Sequence, residues 1–335
     1  MTGLLEEIAV FLEGKGFECS RQMRDGFDII CAGTADGRVS KVILPLEVSS
    51  LTPAEAVEAS DRALECLEFM RVIAETPLIV TEDRWRLQKD MMQERLLAHL
   101  EVFGQAFARN CEVRRIEKPE AHDFLMSNHS YGDAACRYRY GLFLKRQTGH
   151  LAADAALVPG TLLAVATFSN ARKWVKGGRE IRSYEWTRYA SLPGVRVNGG
   201  MGKMLKAFIE DVGPDDVMSY ADLEWSRGDV YRQLGFVLEG QKKPVLFSVD
   251  PGTWKRSPVR PGAAAQSVGP GFAGQADPVI AGSSVIPVPT VIPVPTVIPV
   301  PTVIAVPTVI AGSTGNLYFR NFGSNKYRLK LTDYE

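Results

Sequence analysis

This sequence has no run of eighteen apolar residues, so no segment is expected to span a membrane. Residues 1–7 lack a basic stretch followed by an apolar one, so a secretory signal is not expected. The five cysteines, Cys19, Cys31, Cys66, Cys111 and Cys136, are scattered, odd in number and without a CxxC pair. That pattern speaks against a zinc site and against a disulfide framework, no metal ligand set is expected, and a reducing cytoplasm is the expected setting. Net charge is missing too, because 39 Lys and Arg balance 39 Asp and Glu. What remains, 45% hydrophobic and 23% charged over 335 residues, is an ordinary globular composition with room for two domains.

The neutral total hides a division. Residues 1–111 carry 12 Lys and Arg against 19 Asp and Glu, and the rest of the chain carries 27 against 20. A phosphate-bearing ligand, coenzyme A or nucleic acid, belongs with the basic part; attraction between two oppositely charged domains is the plainer alternative.

Residues 1–111 read as helix, three strands, helix, strand, helix. Leu5, Ile8, Phe11 and Leu12 have helical spacing over residues 4–15, and residues 17–21, 27–31 and 41–48 alternate as strands. Thr52, Pro53 and Glu55 form a helix start, with a cap, a proline at the first position and a glutamate three after the cap. That helix is expected to reach residue 74, a buried strand follows at 77–80, and residues 82–98 read as one helix. The order αβββαβ resembles the core of the PD-(D/E)xK nuclease superfamily. Asp28 and Glu47 fall at that family's acidic positions, but Ser49 stands where its lysine belongs, no proline precedes Asp28, and the acidic charge repels a phosphate backbone. A non-cutting relative, or a plain α/β interaction domain, is the expectation.

Residues 112–257 form a second unit, with a helix at 119–128 and strands at 137–144, 161–168 and 181–192. The connection 170–179 is a basic loop carrying Arg172, Lys173, Trp174 and Lys176, a candidate nucleic-acid contact. A helix at 201–212, a strand at 216–221, a helix at 228–234, and strands at 236–238 and 245–249 close the sheet. In the segment 258–315 the hexapeptide VIPVPT recurs three times from Val285 and is followed by VIAVPT. Two prolines in six residues exclude a helix or central strand, so polyproline II or disorder is expected, as a spacer or a tolerated surface insertion. Residues 316–335 resume strand-like alternation and are expected to pack back onto the second unit.

The chemistry-bearing residues gather after residue 197. Val197, Asn198, Gly199, Gly200, Gly202 and Lys203 make a glycine-rich turn between a strand and a helix. Bare backbone amides there can approach a pyrophosphate, aided by the helix dipole, although the spacing is neither a Walker loop nor GxGxxG. Asp222 ends its strand, where a carboxylate accepts a proton or orients an amine; capping a turn is the plainer role. Tyr231 can protonate a departing thiolate or pack under the sheet. Glu185 is a further catalytic candidate that, with Arg188 on the same strand, forms a salt bridge or lines the cleft, and His129 is a catalytic candidate or a capping residue.

Tyr231 to Phe236 resembles the Y-x-x-x-G-F segment of the GNAT acyltransferases, and the glycine turn resembles their pyrophosphate loop. Residues 128–132, 140–143 and 219–222, with Ser226, Gly228 and Tyr231, resemble phage Mom-type DNA-modification proteins and the C-terminal domain of phage homing-endonuclease-like proteins. Residues 321–326 are similar to the tail of the latter. The resemblance covers residues 113–250 and 316–331. It implies an α/β (α+β) chain in which a restriction-endonuclease-like domain precedes a GNAT-like mixed sheet. It also implies acetyl-CoA or another acyl-CoA as cofactor, and an acceptor nucleobase in DNA. Two departures stand out: Val197 occupies the place of the family's Arg or Gln, and Trp225 is bulkier than expected. A non-enzymatic DNA-associated module is the alternative.

Overall fold

Leu4, Ile8 and Leu12 recur once per turn on one face, are fully buried, and set helix α1 (Leu4–Gly14) against a sheet. The computed structural model describes residues 3–37, 40–73, 77–146, 157–259 and 315–334. Met1–Pro258 with Gly315–Glu335 form one compact unit. The hexapeptide repeat lies outside the described residues.

Strands β1 (Glu18–Arg24), β2 (Phe27–Gly33) and β3 (Ser40–Leu46) pair antiparallel. Helix α2 (Pro53–Ile73) crosses to β4 (Leu78–Thr81), which pairs parallel with β3. The α2 start is capped as its sequence suggests: Glu55 N–H donates to Thr52 Oγ1 at 3.2 Å, and Leu51 N–H donates to the Glu55 carboxylate at 2.8 Å. Ile30, Ile43, Leu78 and Val80 face α1, while Ile29, Leu44 and Ile79 face α2. The helix expected over 82–98 is instead two helices, α3 (Glu82–Leu87) and α4 (Lys89–His99). They are separated by Gln88 at φ −132°, a local conformation that a continuous helical pattern does not report.

Next come β5 (Gly104–Phe107), a single 3₁₀ turn, β6 (Cys111–Arg115), helix α5 (Lys118–Asn128), β7 (Tyr138–Leu144), β8 (Leu162–Phe168), β9 (Arg172–Lys176), β10 (Arg179–Ser191) and β11 (Val195–Asn198). They are followed by α6 (Gly200–Val212), β12 (Asp216–Asp222), α7 (Asp229–Gln233), β13 (Val237–Lys242), β14 (Leu246–Val249), β15 (Arg256–Pro258), β16 (Leu317–Arg320) and β17 (Ser324–Lys330). An eight-stranded sheet runs β13-β17-β12-β10-β8-β7-β6, with β9 attached to β10. On β8, Ala164, Ala166 and Phe168 pack toward Met204 and Phe208 of α6, whereas Val165 packs toward Ala121 and Leu125 of α5. The two helices therefore cover opposite faces of one sheet.

Three features differ from the sequence reading. The basic stretch 172–176 is a strand, β9, hairpinned on β10 with Trp174 opposite Ile181. Strands β5 and β11 form a parallel pair that periodicity does not betray, because each has only four residues. Strand β14 does not close the large sheet. The tail strand β17 takes the place between β12 and β13, and β14 joins β15 and β16 in a small separate sheet. Alternation identifies a strand but not its partner.

The two halves share cores. Leu223, Val249, Leu317, Phe319 and Phe322 pack with Ile29, Leu44, Leu67 and Met70, while Trp225 packs with Leu4, Trp85 and Leu96. The Ile79 N–H of β4 donates to the Glu224 carbonyl at 2.9 Å, which joins the two halves through backbone as well. No helix among the described residues is long and apolar enough to cross a membrane.

Candidate functional site

Strands β10 and β12 run parallel but pair only through Ser183–Asp216, Tyr184–Val217 and Glu185–Met218. Past Glu185 the pairing of β10 passes to β8, with an irregularity between Trp186 and Arg188. Ser219 is the first β12 residue beyond the paired stretch. Its hydroxyl lies 3.1 Å from the Trp186 carbonyl and 2.9 Å from the phenol of Tyr231. A hydroxyl has one proton and a carbonyl can only accept, so Ser219 donates to Trp186 and receives from Tyr231. The Tyr231 ring packs against Trp186, Phe236 and Tyr327 at centroid distances of 6.3, 5.5 and 5.4 Å. Burial pushes its pKa above the usual value. The Tyr231 ring packs under the sheet, and its hydroxyl meets Ser219 just beyond the paired stretch of β10 and β12.

Gly228 places that tyrosine. It sits at φ +90°, and a Cβ there would run into the Tyr327 ring and Ala221. Only glycine lets α7 start this close to β12 and β17.

Asp222 lies three residues beyond Ser219, about 10 Å along the strand, with its side chain on the opposite face. Asp222 and Ser219, the partner of Tyr231, are thus on opposite faces of one strand. Asp222 Oδ1 accepts the Glu224 N–H at 3.0 Å, and its main-chain carbonyl accepts from Trp225 and Ser226, so it does organise a turn. Its other oxygen accepts from the Tyr131 phenol at 2.9 Å. In the sequence, Tyr131 carries no signal beyond its place in the segment 128–132, beside His129.

His129 sits against the Tyr131 loop. Its Nδ1 accepts the Tyr131 N–H at 3.1 Å. Burial lowers its pKa to about 3, helped by the charges of Arg188, Arg95 and Arg84. It holds the Tyr131 loop in a neutral state. Around the same loop, Arg84 and Gln88 donate to the Ser130 carbonyl at 3.0 and 3.1 Å, Arg95 to Ser130 Oγ at 3.0 Å, and Arg188 to the Gly132 carbonyl at 3.0 Å. Glu185 makes no ion pair with Arg188; its backbone N–H donates to Ser169 Oγ at 2.9 Å. Below the loop Glu224 is fully buried, between Arg84 at 3.5 Å and Arg256 at 3.3 Å, and burial raises its pKa against the pull of Arg256. Arg256 also grips Asp83 and Thr81.

The glycine turn opens α6. Gly199 is its N-cap at φ +75° with no side-chain cap, so the first-turn amides of Gly200, Met201 and Gly202 are left for another acceptor. A Cβ on Gly200 would stand 3.1 Å from Val197, and one on Gly202 would stand 3.2 Å from Leu234. The residues fit an anionic group at the helix start through backbone alone. The expected side-chain helpers are engaged elsewhere. Lys203 donates to the Ala108 and Cys111 carbonyls at 2.8 and 2.5 Å, Asn198 donates to Gln105 at 3.2 Å, and Val197 is buried.

The basic hairpin is exposed along all of β9. Lys173 pairs with Glu180 at 2.9 Å, and Arg328 lies 5.2 Å from the Trp174 ring. Asp28 and Glu47 are exposed, and no group of three or more His, Cys, Asp or Glu among the described residues could hold a metal ion.

No family model and no curated protein matches this sequence. Solved structures similar to parts of it include a probable N-acyltransferase from Enterococcus faecalis V583, with 16% identity, 43% of this chain covered and a TM-score of 0.29. Another is Eis1 from Mycobacterium abscessus, with 17% identity, 45% of this chain covered and a TM-score of 0.29. This chain spans 36% of the length of each of those two proteins. A third is a mutant AtaT toxin bound to the C-terminus of the antitoxin AtaR and acetyl-CoA, with 13% identity, 38% of this chain and 86% of that chain covered, and a TM-score of 0.24. Likenesses of this size define neither the fold nor the chemistry of this chain.

Proposed function

We propose that this chain is a GNAT-like, acyl-CoA-dependent N-acyltransferase. The observation that carries the reading is the early parting of the parallel strands β10 and β12, joined through a helix that begins on bare glycine amides and with a phenol at the point of parting. Bound there, the cofactor would supply a thioester whose acyl carbon is open to attack. The α6 amides would hold its pyrophosphate. The acceptor amine would approach from the α5 face, where Asp222 lies. Asp222 would receive the proton shed by the amine. Tyr231 would give its proton to the departing sulfur, exchanging its bond to Ser219 for one to the thiolate. Val197 in place of a side-chain donor leaves the backbone to do the binding.

Calorimetry with acetyl-CoA tests this. Binding is expected, and Asn198→Asp, which puts a carboxylate beside the turn from an exposed position, should weaken it about tenfold or more. Absence of binding by the unaltered chain overturns the reading.

A non-enzymatic DNA-associated module is the second reading, favoured by the exposed Arg172, Lys173, Trp174 and Lys176 of β9. Unchanged retention on a DNA column after neutralising Arg172, Lys173 and Lys176 removes it.

A further inference from the structure

The cross-strand register puts one set of side chains on a single sheet face. Trp174 is opposite Ile181, Ser183 and Glu185 are opposite Asp216 and Met218, Tyr220 is opposite Lys326, Asp222 is opposite Ser324, and Ser324 is opposite Lys242. Residues directly opposite or two apart share a face. Trp174, Tyr220, Lys242 and Asp222 therefore lie on one side, and Tyr131 reaches the same side through its bond to Asp222. Trp174 is 41% exposed and Tyr131 is 42% exposed.

Each of these three rings has a cation set against it. Arg328 lies 5.2 Å from the centre of Trp174, Lys242 lies 3.5 Å from Tyr220, and Arg84 lies 4.3 Å from Tyr131. Arg328 and Arg84 are also held by carboxylates. Arg172, Lys176 and Lys242 form no ion pair among the described residues. Rings alternating with free cations along a path suit a chain of stacked bases joined by phosphates, and suit a duplex poorly because its bases are already stacked. Acidic groups lie along the path too: Asp216 and Glu239 are consumed by Arg328, Glu185 stands beside Met218, and Asp222 is at the end.

We propose that this face binds a single nucleic-acid strand, from the β9 hairpin past Tyr220 to Asp222.

The test is fluorescence anisotropy of the full chain with a labelled ten-nucleotide thymidine strand, its uridine RNA counterpart and a duplex of the same length. The expected result is that one or both strands bind more tightly than the duplex, that binding weakens as salt rises, and that Trp174→Ala and Tyr220→Ala each cost about tenfold or more. Trp174→Phe should retain most of the affinity because a ring remains. Lys206→Ala, on α6 across the sheet, should change nothing. Circular dichroism melting of each variant separates a lost contact from a lost fold. No strand binding at about 50 mM salt, preference for the duplex, or alanine variants that are folded and bind like the parent overturn the track. Acetyl-CoA calorimetry on the same samples tells the two failures apart. Cofactor binding without strand binding sinks only the track, and strand binding without cofactor binding sinks only the acyl transfer.

Discussion

The Tyr131 phenol donates to Asp222 Oδ2 at 2.9 Å, joining the loop after α5 to the end of β12 across 91 positions of sequence. The bond fixes one carboxylate oxygen on the α5 face of the sheet, while the other is held by the Glu224 amide. Asp222 is thereby kept in one rotamer at the end of the strand that bears Ser219.

Tyr131→Phe removes that bond while leaving the ring against Arg84. A stability loss of about 1 kcal/mol is expected by urea titration. If acyl transfer occurs, kcat should fall with little change in the affinity for acetyl-CoA, because Asp222 faces the acceptor side. A variant with unaltered kcat would show that Asp222 needs no such anchor.

Trp225→Ala should cost about 3–5 kcal/mol. The indole follows the site strand yet is buried with Leu4, Trp85 and Leu96 and lies under the Arg95 guanidinium at 4.2 Å. Because both halves share it, denaturation followed by tryptophan fluorescence and by circular dichroism should give one coincident transition, shifted to lower urea in the variant. Two separate transitions in the unaltered chain would refute the shared core.

Acidification should destabilise the fold before the carboxylates titrate. Burial lowers His99 to about 4 and His129 to about 3, both below the ordinary 6.5. Between those values the unfolded chain binds more protons than the folded one. The stabilising contribution is therefore complete above about pH 6.5 and drains away as the pH falls toward 4 and 3. Urea midpoints at pH 7 and pH 5 should differ, and His129→Gln should reduce the difference. Identical pH dependence in parent and variant would show that His129 charges freely in the fold.

Much of the secondary structure was legible in the sequence. The repeat of Leu4, Ile8 and Leu12 and the Thr52–Pro53–Glu55 start foretold α1 and α2, because helical period and capping are local chemistry. The glycine turn before α6 was legible for the same reason, since a left-handed N-cap demands glycine. The basic hairpin escaped because exposed strands lack an apolar beat.

Partnership was decided only in three dimensions. Composition and spacing nominated Asp222, Tyr231 and His129. Packing sent Tyr231 to Ser219, gave Asp222 to Tyr131, and reduced His129 to a neutral prop. It also slid β17 between β12 and β13 and buried Trp225 in the other half of the chain. Periods and caps are written in neighbouring residues. Which strand edges meet, and which polar atom finds which partner, depends on the burial of surfaces brought together from distant parts of the chain, and that is settled when the whole unit folds.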